Sequence, residues 1–219
     1  MTTVIILIMV GIITAMSTAM DTTGMDTDTA MADRLIIGVS GASGAPIAVE
    51  LLRQLRENHP EVETHLIVSR GAELTLRQEC GMGLEDLKVL AGVFHENDAI
   101  GASIASGSFL TMGMVVVPCS MKTVAGIVSG YSDNLLLRAA DVCLKERRKL
   151  VLVARESPLS TVHLRNLYEA SRLGAVIVPS MLTYYNRPRT IEDCTRHMVD
   201  RILSQFDLGG DAYQWEGME

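Results

Sequence analysis

The chain of 219 residues carries 26 acidic against 19 basic side chains, a formal charge of -7 with histidine neutral. That balance, with no basic run, argues against a nucleic-acid partner, and an aromatic content of 4% leaves few rings for base stacking. The cysteines (80, 119, 143, 194) form no CxxC pair and the histidines no HxxxH or HExxH pattern, which points to reduced structural thiols in a cytoplasmic protein and away from disulfides or a metal site.

The first residues differ from the rest. Val4 to Met9 is apolar and the run continues to Met16, too short to span a bilayer comfortably. Ser17-Thr18-Ala19 has the look of a cleavage site, yet no Lys or Arg precedes Arg34. Asp21 to Asp33 is acidic and Thr-rich, the composition of a disordered segment. Residues 1–33 therefore read as an extension. It is either dispensable, with Met16, Met20, Met25 and Met31 as alternative starts, or a targeting or membrane-associated segment. Residues 34–208 read as one domain and 209–219 as a tail.

Arg34 to Pro46 is the stretch around which the domain is organised. Leu35, Ile36, Ile37 and Val39 form the near-continuous apolar run of a strand covered on both faces. Gly41, Ala42, Ser43 and Gly44 turn the chain with little side-chain bulk, and Ala48, Leu51, Leu52 and Leu55 recur at helical spacing. Strand, small-residue loop and helix in that order leave N–H groups free at the helix start, an anion site suited to phosphate, and Ser43 adds a hydroxyl. The glycines at 38, 41 and 44 match neither GxGxxG nor a P-loop, so a plain tight turn remains an alternative.

Val62, Leu66, Ile67 and Val68 mark a second strand over Glu61–Ser69, and a helix follows through Glu79 until Gly81 and Gly83 stop it. Ala91–Ile104 reads as a connection leading to the small donors Ser106-Gly107-Ser108. Met114–Val117 is a buried strand ended by Pro118, after which Ser120 to Thr123 opens a helix that ends near Gly130. Asp133 with Asn134 caps the next helix, whose Arg138 and Lys145 lie two turns apart on one face; a solvated face would show the same spacing. Leu150–Val153 is a fourth strand, ending in Arg155-Glu156-Ser157-Pro158. Thr161–Leu173 is helical, and Ala175–Val178 is a fifth strand ending at Pro179. Met112, Met114 and Met121 read as core.

This alternation predicts a doubly wound parallel α/β sheet with helices on both faces and a ligand site along the carboxyl ends of its strands. The strand ends deliver Ser43, Ser69, Ser120, the Arg155–Glu156 pair and the Ser180–Tyr185 segment to one edge. The second strand ends in Ser69-Arg70, where an NAD-binding sheet would place an acidic ribose ligand.

Gly41-Ala42-Ser43-Gly44-Ala45, Ala105-Ser106-Gly107-Ser108, Pro118-Cys119-Ser120-Met121-Lys122-Thr123, Arg138-Ala139-Ala140-Asp141, Leu144 to Arg148, Arg155 to Leu159 and Tyr185-Asn186-Arg187-Pro188 occur together and in order. With them the chain closely resembles the flavin prenyltransferases, the UbiX/PAD-type flavoproteins, from Arg34 to about Trp215. The resemblance implies a flavodoxin-like Rossmann sheet and a homo-oligomer, trimer to dodecamer. It implies transfer of a dimethylallyl group from dimethylallyl phosphate to reduced FMN, without a metal, giving the prenylated flavin used by a UbiD-type decarboxylase.

Carried over residue by residue, Gly41, Ala42, Ser43, Ser69, Ser120, Met121, Lys122, Thr123 and Arg155 would hold FMN. Tyr185 and Arg201 would hold dimethylallyl phosphate. Glu79, Arg138, Lys145, Glu156 and Trp215 would neighbour that site, with Ser43, Glu79, Arg138, Lys145 and Glu156 as the catalytic group. Arg and Lys would stabilise charge on the leaving phosphate, and Glu156 or the released phosphate would take up a proton. Ser180-Met181-Leu182-Thr183 and Tyr184 depart from the family's commoner proline-rich, Phe-containing approach to the tyrosine.

Outside the resemblance, Glu79 reads as a surface carboxylate and Trp215 as packing for a tail. Two other functions share the sheet. One is a non-catalytic flavin-binding subunit of a hydroxyarylic acid decarboxylase. The other is a flavin-dependent cysteine decarboxylase, whose early-helix histidine is replaced here by Pro46 and Ile47.

Overall fold

A computed structural model describes residues 33–209 and Gly217. The readings made of residues 1–32 and of Trp215 lie outside the described residues.

Apolar runs with small-residue loops between them fold as strands alternating with helices. In chain order these are β1 (Arg34–Val39), α1 (Ala45–Asn58), β2 (Glu63–Val68), α2 (Arg70–Cys80), α3 (Leu84–Lys88), β3 (Val93–His95), β4 (Gly113–Cys119), α4 (Met121–Ser129), α5 (Leu135–Lys145), β5 (Lys149–Ala154), α6 (Thr161–Arg172), β6 (Val176–Ile177) and α7 (Ile191–Leu203). All neighbouring strands pair in parallel, in the order β3-β2-β1-β4-β5-β6. Without the three-residue edge strand β3, the remaining five follow the flavodoxin order, as expected. The order reverses between β1 and β4, where Leu35 is paired with Gly113 and Ile37 with Val115.

Alternation of side chains along each strand divides the core into two layers. Leu35, Ile37, Leu66, Val115 and Val151 pack against α1, α2 and α7, whose Leu51, Leu55, Leu76, Val199 and Ile202 are buried. Ile36, Ile67, Met114, Val116 and Leu152 face α4, α5 and α6 through Val124, Leu136, Cys143 and Ala170. Each fully buried Leu or Ile contributes about 1.5–3 kcal/mol relative to exposure. The outcome is helices on both faces and strand ends open at one edge.

Several local expectations change. The stretch Ala91–Ile104 contains β3 and, at Ser103–Ala105, a 3₁₀ turn. Pro118 lies inside β4 and does not end it. The β4–β5 register shifts between Val116 and Cys119, and a bulge of that kind is where a strand accommodates proline. Asn134 alone caps α5, its side chain accepting from Leu137 N–H at 3.0 Å, while Asp133 accepts from the Asn134 amide at 2.8 Å. The final strand shrinks to two residues, and α7 follows it. Of the methionines read as core, Met114 and Met121 are buried in the layer facing α4, α5 and α6, and Met112 is partly buried against the other layer.

Candidate functional site

At the switch point the carboxyl ends of β1 and β4 are joined by Ser40, which is buried. Its hydroxyl donates to the Pro118 carbonyl at 2.9 Å and accepts from Ser120 N–H at 2.7 Å. Ser120 in turn caps α4, accepting from Thr123 N–H at 3.3 Å, with the two hydroxyls 3.0 Å apart. Ser69 caps α2 in the same way, accepting from Ala72 N–H at 3.2 Å. The amino ends of α2 and α4 therefore open onto one cleft of about 430 Å³, with Arg70 and Lys122 on its wall beside Asn97 and Asn134. Helix dipoles, caps and two cations give this cleft the chemistry to hold an anion.

Gly41 lets the β1 loop approach α2. A Cβ there would come within 3.0 Å of the Gly71 backbone, too close for any other residue without movement. Ala42, the next residue of this loop, is buried.

The amino end of α1 has a different occupant from the phosphate suggested by its loop. Glu79, from the last turn of α2, accepts from Gly44 N–H at 2.9 Å and from Ala45 N–H at 2.8 Å. Partial desolvation opposes its charged form. The Gly44 N–H, the Ser43 hydroxyl, the Ala45 N–H and the Arg155 guanidinium together outweigh this and hold its pKa below the ordinary carboxylate value. Glu79 is thus no isolated surface carboxylate: Ser43, Glu79 and Arg155 form one group at the mouth of the first loop. Arg155 arrives there because its N–H bonds the Cys119 carbonyl at 3.1 Å, continuing β5 alongside the end of β4. Glu156 follows it, exposed, accepting from Ser157 N–H at 3.0 Å.

Arg138 and Lys145 form a second group. Arg138 pairs with Asp141 at 2.7 Å and donates to the Ala105 carbonyl at 3.2 Å. Lys145 pairs with Glu146 against Gly107, and Arg148 bonds the Phe109 carbonyl at 2.7 Å and the Gly107 carbonyl. These cations tie the Ser106–Ser108 turn to α5, and among the described residues none of them bonds the Ser43 loop.

A third group joins α7 to the segment before it. Tyr185 bonds His197 through its hydroxyl, O to Nε2 2.8 Å, and Arg201 follows His197 by one turn. Tyr185 thus meets α7 one turn before Arg201.

A flavoprotein family model matches residues 25–201. A probable UbiX-like flavin prenyltransferase of Sedimentibacter hydroxybenzoicus is 53% identical over 185 residues, spanning 84% of this chain and 97% of that protein. The chain belongs to the UbiX-like flavin prenyltransferase family. Among solved structures of the family, the dodecameric FMN-dependent UbiX-like decarboxylase of Escherichia coli O157:H7 is 51% identical, with a TM-score of 0.82 over 84% of this chain and all of that one. AnUbiX (PadA1), solved in complex with FMN and dimethylallyl pyrophosphate, is 46% identical, with a TM-score of 0.82 over 85% of this chain and 98% of that one.

Three residues with structural roles around these groups were not singled out from the sequence: Ser40, Asn97 and His197. Ser40 directly precedes the glycine loop and could be found from that position. Asn97 accepts α5 N–H groups with both its backbone and side-chain oxygens, from Leu135 at 2.8 Å and Leu136 at 3.1 Å, a role visible only once β3 is known. Among the described residues no cluster of three or more His, Cys, Asp or Glu could hold a metal ion, and no helix is long and apolar enough to cross a membrane.

Proposed function

We propose that the protein transfers a dimethylallyl group from dimethylallyl phosphate to reduced FMN. The observation that carries this reading is the switch-point cleft, where two capped helix amino ends face Arg70 and Lys122 beside the Ser43–Glu79–Arg155 group. The cleft fits FMN in chemistry. Its volume of about 430 Å³ is within the usual range for small-molecule sites, and its anion-binding wall suits a phosphate. Ser69, Ser120, Met121, Lys122 and Thr123 would hold that phosphate side, and Gly41, Ala42, Ser43 and Arg155 would border the ring. Bound as reduced FMN, the cofactor supplies nucleophilic N5 and C6, the two positions that take the five-carbon unit.

The remaining chemistry belongs to the chain. Departure of the allylic phosphate builds negative charge, which Arg155, Arg201 and the Tyr185 hydroxyl would stabilise, joined by Arg138 and Lys145 in an assembled oligomer. One proton must be taken up in each turnover, and the carboxylate of Glu156, which follows Arg155, or the released phosphate would accept it. Ionised Glu79 fixes the Ser43 loop through two backbone bonds and a bond to the Ser43 hydroxyl, which would border the ring. Trp215 is assigned to the donor site by resemblance alone. The donor of the AnUbiX complex is the pyrophosphate; the two donors share the allylic phosphate on which this chemistry acts. The product would go to a UbiD-type decarboxylase, and the free, unpaired cysteines suit a cytoplasmic setting.

Titration with oxidised FMN and, separately, NAD tests the cofactor assignment. FMN should bind stoichiometrically and NAD should not; tight NAD binding without FMN binding would refute it.

A further inference from the structure

We propose that His197 is the positioning residue of the donor site, orienting the Tyr185 hydroxyl toward the phosphate of dimethylallyl phosphate. The inference rests on the assignment of Tyr185 to that site. Its basis is an asymmetry between two bonded rings: Tyr185 is 49% exposed and able to meet a ligand, whereas His197 is 6% exposed and fixed in the core layer of α7. They touch in two ways. The phenol oxygen is 2.8 Å from Nε2, and the rings pack edge to face with centroids 5.4 Å apart and planes at 81°. The first contact fixes the oxygen and the second fixes the ring plane.

The segment carrying Tyr185 is held at both sides of this contact. Thr183 donates to the Asn186 side chain at 3.1 Å, and Arg187 N–H bonds the Tyr184 carbonyl at 3.0 Å. Further on, Asp193 accepts from Arg189 N–H at 2.8 Å and Thr190 N–H at 3.0 Å, closing the capping box of α7. The tyrosine thus returns to the same helix that supplies His197, with Arg201 one turn beyond.

Proton placement gives this geometry its function. A phosphate oxygen offers only lone pairs, so Tyr185 must donate its single hydroxyl hydrogen to bind one. That hydrogen is directed outward when Nε2–H of His197 donates into the phenol oxygen. The reverse tautomer would accept the phenol hydrogen and present lone pairs to the phosphate. The imidazole therefore acts on the donor through Tyr185, as an Nε2–H donor, without touching the reacting atoms.

The test is a double-mutant cycle in the full-length, FMN-loaded protein. It is read by KM for dimethylallyl phosphate, by kcat, and by calorimetric binding of dimethylallyl phosphate to the oxidised form, which does not turn over. His197→Leu should raise KM and weaken binding about tenfold, the scale of one hydrogen bond to a charged group, with a smaller change in kcat. His197→Gln, whose amide nitrogen can take the place of Nε2–H, should restore most of the affinity. In a Tyr185→Phe background His197→Leu should add nothing. If His197→Leu yields no soluble protein, His197→Asn, with its shorter amide, replaces it with the same expected loss. A raised KM in Tyr185→Phe beside an unchanged one in the His197 variant overturns this inference alone. An unchanged KM and binding in Tyr185→Phe overturns the assignment of Tyr185 to the donor site, and this inference with it.

Discussion

Glu79 and Glu156 are carboxylates beside the same arginine with different surroundings. Glu79 is committed to two backbone N–H groups and the Ser43 hydroxyl. Glu156 has one backbone contact within its own turn and stays exposed. The first is held ionised and fixes a loop, and the second is left exposed to solvent; in the proposed function Glu156 takes the proton acceptor's part. Glu156→Gln keeps shape and hydrogen bonding, so FMN binding should survive in a titration. Single-turnover product formation with pre-reduced FMN should fall by roughly the 10²–10⁴-fold typical of a general acid–base group. Unchanged turnover would remove Glu156 from the mechanism. At this scale the sequence was most legible where a role is local. Ser43, Ser69 and Ser120 each follow a strand and precede a helix, and Ser69 and Ser120 are caps. Contacts between distant elements, such as Glu79 with Gly44 or Tyr185 with His197, leave no spacing signal to read.

The strands with continuous apolar runs were legible as elements, because burial on both faces leaves that mark. Strand β3 was not: it has three half-buried residues and no alternation over such a length. Cross-strand chemistry secures it. His65 Nδ1 is 2.9 Å from His95 Nε2, and His65 Nε2 is 2.8 Å from Glu63, which also bonds Arg34 at 3.1 Å. Burial, reinforced by the neighbouring His65, lowers the His95 pKa from 6.5. The folded protein therefore binds fewer protons at this site than the unfolded chain between that lowered value and 6.5. Its contribution to stability is full above about pH 6.5 and is lost as pH falls through the folded pKa. Thermal melting of the wild type and His95→Gln from pH 5 to 8 should show a gap that narrows on acidification. A gap independent of pH, or one that widens in acid, would contradict this placement of the proton. Helices α3 and α7 were also left unassigned: α3 has only five residues, too few for a periodic apolar face, whereas the capping box of Thr190 and Asp193 at the start of α7 was there to be read.

Over the whole molecule, the segment between β6 and α7 leaves apolar side chains outside the core. Met181 is 65% exposed, Leu182 66%, Tyr184 77% and, at the first turn of α7, Ile191 81%. These residues flank Tyr185, and Arg138 and Lys145 have their own partners away from the Ser43 loop. A site assembled from more than one copy accounts for both features. Light scattering should therefore find a trimer or larger assembly, and Leu182→Asp should shift it toward smaller species with loss of turnover. A fully active monomer would contradict the account. Fold class followed from the strand–helix alternation alone, whereas assembly has no periodic mark in a single chain and shows only as apolar surface that the fold leaves uncovered.

Catalyst and carrier make opposite predictions for the fate of the flavin itself. The deciding measurement is mass spectrometry of flavin released after anaerobic incubation of the protein with reduced FMN and dimethylallyl phosphate. The account predicts FMN heavier by one five-carbon prenyl unit, formed only when both protein and donor are present. Recovery of unmodified FMN from a protein that demonstrably bound it, under conditions where donor binding is saturated, would contradict prenyl transfer and leave a flavin-carrying subunit as the better description.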